Sequence, residues 1–474
     1  MDAHQRLGDG GSAAGAPGLV APAVSPMTAG DPGPATVAAP PPRHIQIIVA
    51  GVFAVSLLKG LRMPNLWSAT HMTFNYTQGF IRRGLFGQVL RAIGGRGVYH
   101  YNTLALIAVV MFVLALLATA RLTRRMLATD GGDRGLLGAT LAFAASPGLV
   151  FVAHEIGYLD YLGFIAVPLF IVWAARSKRP WLIFYVAIAL SVGLALIHES
   201  MIIMFAPTMW LAMASHVIVQ SRARPRSRRT RWLMAAHAVA AAVIALAASS
   251  VIGTIGTKNP ERVHALQASI QRYANFPLRG DAFEVLFRSV REAFLHVMPW
   301  VWSNPENVRY LVVGILASLP GLVAILAYGV QVISRLSLPL VHRLLLGALL
   351  VGAGLAPLLL NFVGWDSARW NAICFVAAFN SIATIRLFFC APASASAIGA
   401  PASAQPGSGG DVRRFRIDNP WMLVLAAAGI VCGLAADYNR FLFDGYVVRW
   451  FPFDTQWRSL LELLHGNFTF IPGV

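Results

Sequence analysis

Repeated apolar runs, most of them about 17 to 25 residues long, decide what this chain can become. The first spans Ile45 to Leu58, followed by Asn102–Ala120, Leu136–Val152, Leu159–Ala175, Trp181–Ile197 and Met201–Val219. Five more follow at Trp232–Ile255, Tyr310–Ile333, Leu344–Val363, Trp370–Ile385 and Trp421–Ala436. In lipid, every backbone N–H and C=O must find a partner within the protein, so runs of this length cross as helices. A closed strand barrel instead shows short segments of alternating polarity, and the sequence has no such segments. The expected fold is all-α, a polytopic transmembrane helical bundle of about 11 spans with amphipathic helices on its outer face. Composition agrees, because 57% hydrophobic with 12% charged residues is outside the range of soluble domains.

A net charge of +18 raises the question of nucleic acid. Most basic residues, however, lie in short loops between spans, where they orient a membrane protein and meet anionic headgroups. No nucleic-acid partner is expected. With the N-terminus inside, the inner loops carry Arg121, Arg124 and Arg125, then Arg176, Lys178 and Arg179. Later inner loops hold Arg222 to Arg231, Arg335 with Arg343, and Arg413 to Arg416. The short hairpins Glu155–Asp160, His198–Ser200 and Gly364–Arg369 fall outside. The positive-inside rule thus predicts a multi-pass inner-membrane protein with a cytoplasmic N-terminus and a periplasmic C-terminus.

Residues 1–43, rich in Ala, Pro and Gly, read as a disordered cytoplasmic tail. No compact basic region or small-x-small site flanks the first apolar run, so a cleaved signal peptide is not expected. Residues 44–474 read as one transmembrane domain, interrupted by a low-complexity cytoplasmic linker over 391–411. Three outer segments are long: 60–101, 257–309 and the C-terminal tail 438–474. In the second, Phe283, Leu286, Phe287, Val290, Phe294 and Val297 repeat at helical spacing, predicting one amphipathic helix. Its polar face carries Glu284, Arg288 and Glu292, spaced to pair. The aromatic tail suits headgroup depth.

Chemistry has few places to sit, because there are only 20 carboxylates. Tail, inner loops and large outer loops hold most of them, leaving Glu155, Asp160, Glu199 and Asp366 at the outer ends of spans. His154 precedes Glu155, His198 precedes Glu199, and Arg369 follows Asp366 by one helical turn. Each has a bland reading: solvated turn residues for Glu155 and Asp160, a bare turn for His198-Glu199, a local ion pair for Asp366 and Arg369. Their shared location favours a common polar pocket. There, Glu199, Asp366 or Glu155 is a candidate general base, with His198 to orient it.

In the first outer segment, Asn75–Gly87 places Arg82 and Arg83 among glycines and aromatics. Two arginines at headgroup depth, with Arg369, are candidate ligands for the phosphate of a lipid-borne substrate, or simply an anchor on anionic lipid. The acids can also hold a divalent cation against that phosphate, although no metal-ligand spacing is present. The phosphate-binding loop, dinucleotide fingerprint and Gly-x-Ser-x-Gly elbow are all absent. Cys374, Cys390 and Cys432 are scattered through apolar spans and read as packing residues.

Phe-Ile-Arg-Arg-Gly-Leu-Phe-Gly at 80–87, His-Glu at 198–199 and Gly-Trp-Asp-x-x-Arg-Trp at 364–370 resemble segments of multi-span bacterial polysaccharide-assembly proteins. The similarity is to membrane glycosyltransferases of the GT-C type or O-antigen polymerases. It implies a glycosyltransferase or glycan polymerase using a polyprenyl-phosphate-linked sugar at the periplasmic face, among membrane lipids and other polysaccharide-assembly proteins. GT-C enzymes usually carry an essential acid in the first outer loop, and 60–101 contains no Asp or Glu. If the fold is GT-C-like, Glu155, Glu199 or Asp366 must supply the base; the alternative is an enzyme that works as an arginine-rich polymerase or ligase does. Transport of a lipid-linked glycan and a non-catalytic subunit role remain the alternatives.

Overall fold

A computed structural model describes residues 42–61, 63–129, 132–223, 227–255, 259–364, 366–391 and 419–435, with 461 and 465. Of the expected tail 1–43, residues 1–41 lie outside the described residues and Arg43 already belongs to the first helix; most of the linker 391–411 and most of the segment 438–474 also lie outside.

The apolar runs form helices, as their length requires. The first is α1 (Arg43–Gly60), and two short helices, α2 (Leu66–Met72) and α3 (Leu85–Gly94), follow outside it. Next come α4 (Tyr101–Leu127), α5 (Arg134–Ala144), α6 (Pro147–His154), α7 (Tyr161–Ala174), α8 (Pro180–Ile197), α9 (Met201–Ala223) and α10 (Arg228–Ile255). The second outer segment builds α11 (Pro260–Gln271), α12 (Gly280–Glu284) and α13 (Val290–Ser303). The chain then returns through α14 (Pro305–Arg335), α15 (Leu340–Leu355), α16 (Ser367–Phe389) and α17 (Pro420–Ala435). Among the described residues there is no strand, and nine segments are long and apolar enough to cross a membrane. Two further apolar helices, Tyr161–Ala174 and Pro420–Leu434, are shorter. Each of the eleven expected spans therefore corresponds to helix.

One expected span is bent for a local reason. Ser146 caps α6 by accepting from the Gly148 N–H (3.2 Å), and Pro147 occupies the first helical position. Proline there lacks only a donor that would be orphaned anyway, so the run restarts as α6 instead of continuing α5.

α16 is the axis of the bundle, packed against α6, α9, α14 and α15. Phe375, Phe379, Ile382 and Ile385 are buried, and Phe379 stacks on Phe143 of α5 at 3.9 Å. α1 and α10 lie at the periphery, with Ile47, Val55, Val239 and Val251 exposed; in a bilayer such faces meet lipid at no cost. Without water to drive helices together, close backbone approach must do it. α14 and α17 cross at Gly321 and Gly429, where a Cβ on Gly429 would fall 2.5 Å from the Gly321 Cα.

Outside the spans, α2, α3, α11 and α12 share a small core of Phe74, Ile81, Tyr99, Val263, Leu266, Ile270 and Phe283. Tyr101 ties this cap to α4, its N–H bonded to Asn275 Oδ1 (2.7 Å) and its hydroxyl to the Pro64 carbonyl (2.6 Å). The single amphipathic helix expected from Phe283 onward is instead two. Ser289 and Glu292 form a reciprocal capping box that starts α13 and ends the pattern begun in α12. Glu284 still pairs with Arg288 (3.1 Å), whereas Glu292 is drawn to the Ser289 N–H (2.6 Å). Phe283 and Leu286 enter the cap core; Phe294 of α13 is exposed.

Candidate functional site

The loop Asn75–Gly87 is fixed by its own polar groups. Asn75 Oδ1 accepts from the Thr77 N–H (3.0 Å) and hydroxyl (2.6 Å), and its amide donates to the Tyr99 hydroxyl (3.0 Å). Gly87 packs so tightly on the carbonyls of Met72 and Phe74 that no side chain fits there. A turn then closes from Ile81 to Gly84, and Arg83 sits in it with φ +64°, the one described non-glycine residue in the left-handed region. That conformation costs about 1 kcal/mol for an arginine.

The two arginines point to different partners. Arg82 is buried, and its Nε donates to the Leu286 carbonyl (3.2 Å) while Nη2 donates to those of Val285 and Arg288 (2.7 Å to the latter). It caps the end of α12 and so clamps one outer segment to the other. Arg83 instead makes a two-point pair with Glu199, Nη2–Oε1 2.6 Å and Nε–Oε2 3.0 Å. Arg82 Nη1 stands 3.7 Å from the same carboxylate.

Glu199 occupies the tight connection between α8 and α9, and its carbonyl accepts from Ser249 of α10 (3.3 Å). Beside it, His198 is buried, with Nδ1 2.6 Å from the Ser200 hydroxyl and 3.3 Å from the Ser200 N–H. The backbone N–H can only donate, so we assign Nδ1 as acceptor and Nε2 as the protonated nitrogen. His71 of α2 meets His198 edge-to-face, ring centroids 5.4 Å apart, and its Nε2 is buried without a hydrogen-bond partner.

A second ionic tier adjoins this one through aromatic rings. Trp67 lies against His71 (4.9 Å) and stacks on Tyr158 (5.1 Å). Arg369 lies over Tyr158 (4.9 Å) and Trp370 (4.7 Å). It makes its own two-point pair with Asp160, 2.7 Å for both Nε–Oδ2 and Nη2–Oδ1, and reaches Asp366 Oδ2 only at 3.5 Å.

These neighbours set the protonation states. Burial pushes the Glu199 carboxyl up, but the Arg83 guanidinium, with Arg82 beyond it, overrides this and holds the carboxyl well below the usual carboxylate range. Burial, reinforced by Arg83 and Arg369, drives His71 well below the ordinary imidazole range. Burial and Arg83 do the same to His198 against the pull of Glu199. Near neutral pH the cluster therefore holds an ionised Glu199 and two neutral imidazoles.

The structure thus joins Arg82, Arg83, His198, Glu199, Arg369 and Asp366 into one connected cluster. Glu155 is buried at the end of α6, its Oε1 3.9 Å from Nε2 of His154. Glu155 and Asp160 are not solvated turn residues, at 4% and 0% exposure. Asp366 is a minor partner of Arg369, because the turn between α6 and α7 brings Asp160 closer. Sequence reasoning missed His71, whose i+4 spacing from Trp67 on one face of α2 was the available signal. It also missed a buried network at the far end of the bundle. There, Arg386 reaches Thr129 Oγ1 (3.0 Å) and Asp133 (3.4 Å), and Tyr328 donates to Asp133 (2.8 Å). Among the described residues no group of three or more His, Cys, Asp or Glu is arranged to hold a metal ion.

No protein-family model matches this chain, and no curated protein or solved structure matches it.

Proposed function

We propose that the chain is a glycosyltransferase or glycan polymerase of the bacterial inner membrane, taking a polyprenyl-phosphate-linked sugar at the periplasmic face for surface polysaccharide assembly. The observation that carries this reading is the Arg83–Glu199 pair, a two-point contact left 12% and 17% exposed and walled by two buried histidines.

A phosphate oxygen entering this contact competes with the carboxylate for the Arg83 fork, which suits either anion. Once Arg83 turns to phosphate, Glu199 loses its largest stabilising partner and becomes a stronger base. The acceptor hydroxyl gives its proton to Glu199 as its oxygen bonds the anomeric carbon. The bond from that carbon to the phosphate oxygen breaks, and the polyprenyl phosphate leaves with the electron pair. Arg83 donates to the phosphate oxygens as charge develops there, with His198 beside the Glu199 carboxylate. Arg82 has a positioning role, since its donors hold the 285–288 turn. Arg369 fixes the neighbouring aromatic wall. Membrane lipids, the lipid-linked sugar and other assembly proteins are the partners this reading implies.

The test is to replace Arg83, Glu199 and Asp366 singly, confirm membrane levels, and profile surface glycan and lipid-linked intermediates. Transfer chemistry predicts a shortened or unpolymerised product with accumulated lipid-linked donor for Arg83→Ala and Glu199→Gln. Normal glycan in all three variants would overturn it.

A further inference from the structure

The opposite end of α4 carries charge that the proposed transfer does not use. α4 has 27 residues, about 40 Å of helix, and its Tyr101 end is bonded into the outer cap. At its other end Arg121, Arg124 and Arg125 share one helix face at i, i+3 and i+4 spacing. With Ala128 they line an open surface pocket on that face. Like charges at this spacing repel one another, so an anion between them is favoured. Arg121 and Arg124 are exposed and free to turn toward one.

A buried polar network adjoins this end of α4. Thr129, next to Ala128, donates to the Met126 carbonyl (2.7 Å) and accepts from Arg386 Nε (3.0 Å). Arg386 and Tyr328 both bind Asp133 behind it, and all four residues are at least nine-tenths buried. Thr129, just beyond α4, is thereby held in place before any ligand arrives, which lowers the ordering cost of binding at the end of that helix.

The surface leading from the pocket identifies the occupant. Leu106, Val110, Val113 and Leu117 follow one another at four, three and four residues along α4, and all are between 46% and 60% exposed. The series continues in register into Arg121 and Arg124. One helix face thus presents an apolar track of several turns that ends in arginines. We propose that this face binds an anionic lipid, its phosphate in the Arg121–Arg124–Arg125 pocket and its chain along Leu117, Val113 and Val110. The positive-inside rule assigns this end of α4 to the cytoplasmic leaflet. The site is independent of the outer-face chemistry.

Native mass spectrometry of the full chain, with either phosphatidylglycerol or phosphatidylcholine added, tests it. Wild type is expected to retain phosphatidylglycerol preferentially, and R121Q/R124Q/R125Q to lose about tenfold of that retention, the effect of one charge-assisted hydrogen bond. Should the triple variant fail to fold, R124Q alone is expected to lose about threefold on the same scale. Inorganic pyrophosphate, the free-phosphate probe, is expected to leave bound lipid in place. Equal retention in wild type and a folded variant, or displacement of the lipid by pyrophosphate, would overturn the proposal.

Discussion

Arg83 and Glu199, 116 residues apart, meet through three hydrogen bonds of 2.6, 3.0 and 3.2 Å, and Arg83 reaches that contact from a left-handed backbone. Strain of this kind persists where the surroundings hold it in place, and it gathers at working sites. Arg83→Gly therefore relieves the backbone while deleting the guanidinium, whereas Arg83→Ala only deletes it. In detergent-solubilised protein, the glycine variant should be the more stable of the two by about 1 kcal/mol, read as a higher unfolding midpoint. Both should lose transfer. A glycine variant no more stable than the alanine variant would deny the strain.

Arg82 should behave differently from its neighbour. Its hydrogen bonds to Val285, Leu286 and Arg288 fasten the end of α12, so Arg82→Ala should cost about 2–4 kcal/mol and raise amide exchange in 280–290. Lysine, which lacks the planar fork, should restore little of this protection. Arg83 variants should leave exchange in that turn nearly unchanged.

The acids around Arg369 should separate by burial. Asp160→Asn strands a buried guanidinium and should cost about 3–5 kcal/mol in thermal unfolding. Asp366 is 29% exposed and 3.5 Å away, so Asp366→Asn should cost about 1 kcal/mol or less. Equal losses would contradict the unequal geometry.

His71 and His198 are held neutral, with folded pKa values below the ordinary 6.5. The unfolded chain then binds protons that the folded chain refuses as pH falls below about 6.5, so stability present above that pH is lost on acidification. The slope should approach about 1.4 kcal/mol per pH unit for each histidine. Unfolding midpoints of wild type and His71→Asn/His198→Asn between pH 7 and 5 give the comparison, with the flatter profile expected from the double variant. Glu199 contributes in a lower window: its pair with Arg83 should persist through this range and be lost only as pH falls through its depressed pKa.

The spans were legible because bilayer thickness imposes their length. The interruption at Ser146-Pro147 was masked by the apolar run around it, whereas the one at Ser289 was readable as Ser-x-x-Glu but was overridden by the continuous helical spacing of apolar residues across it. Glu199 stood out because acids at the outer ends of spans are few. The division of labour between Arg82 and Arg83 was invisible, because the partners of Arg82 are backbone carbonyls more than 200 residues away and leave no side-chain signature. Asp160 was hidden as the partner of Arg369 by a nearer acid in sequence, Asp366. Tertiary folding favoured the distant one.

Purified protein supplied with a polyprenyl-phosphate sugar and a hydroxyl acceptor tests the central step directly, by release of polyprenyl phosphate with and without the Glu199→Gln change. The variant keeps the carbonyl that Arg83 can bind but lacks a base, so release should fall by about a hundredfold or more while donor binding is retained. Release at the wild-type rate from a folded Glu199→Gln protein would contradict the assignment of Glu199 as the base.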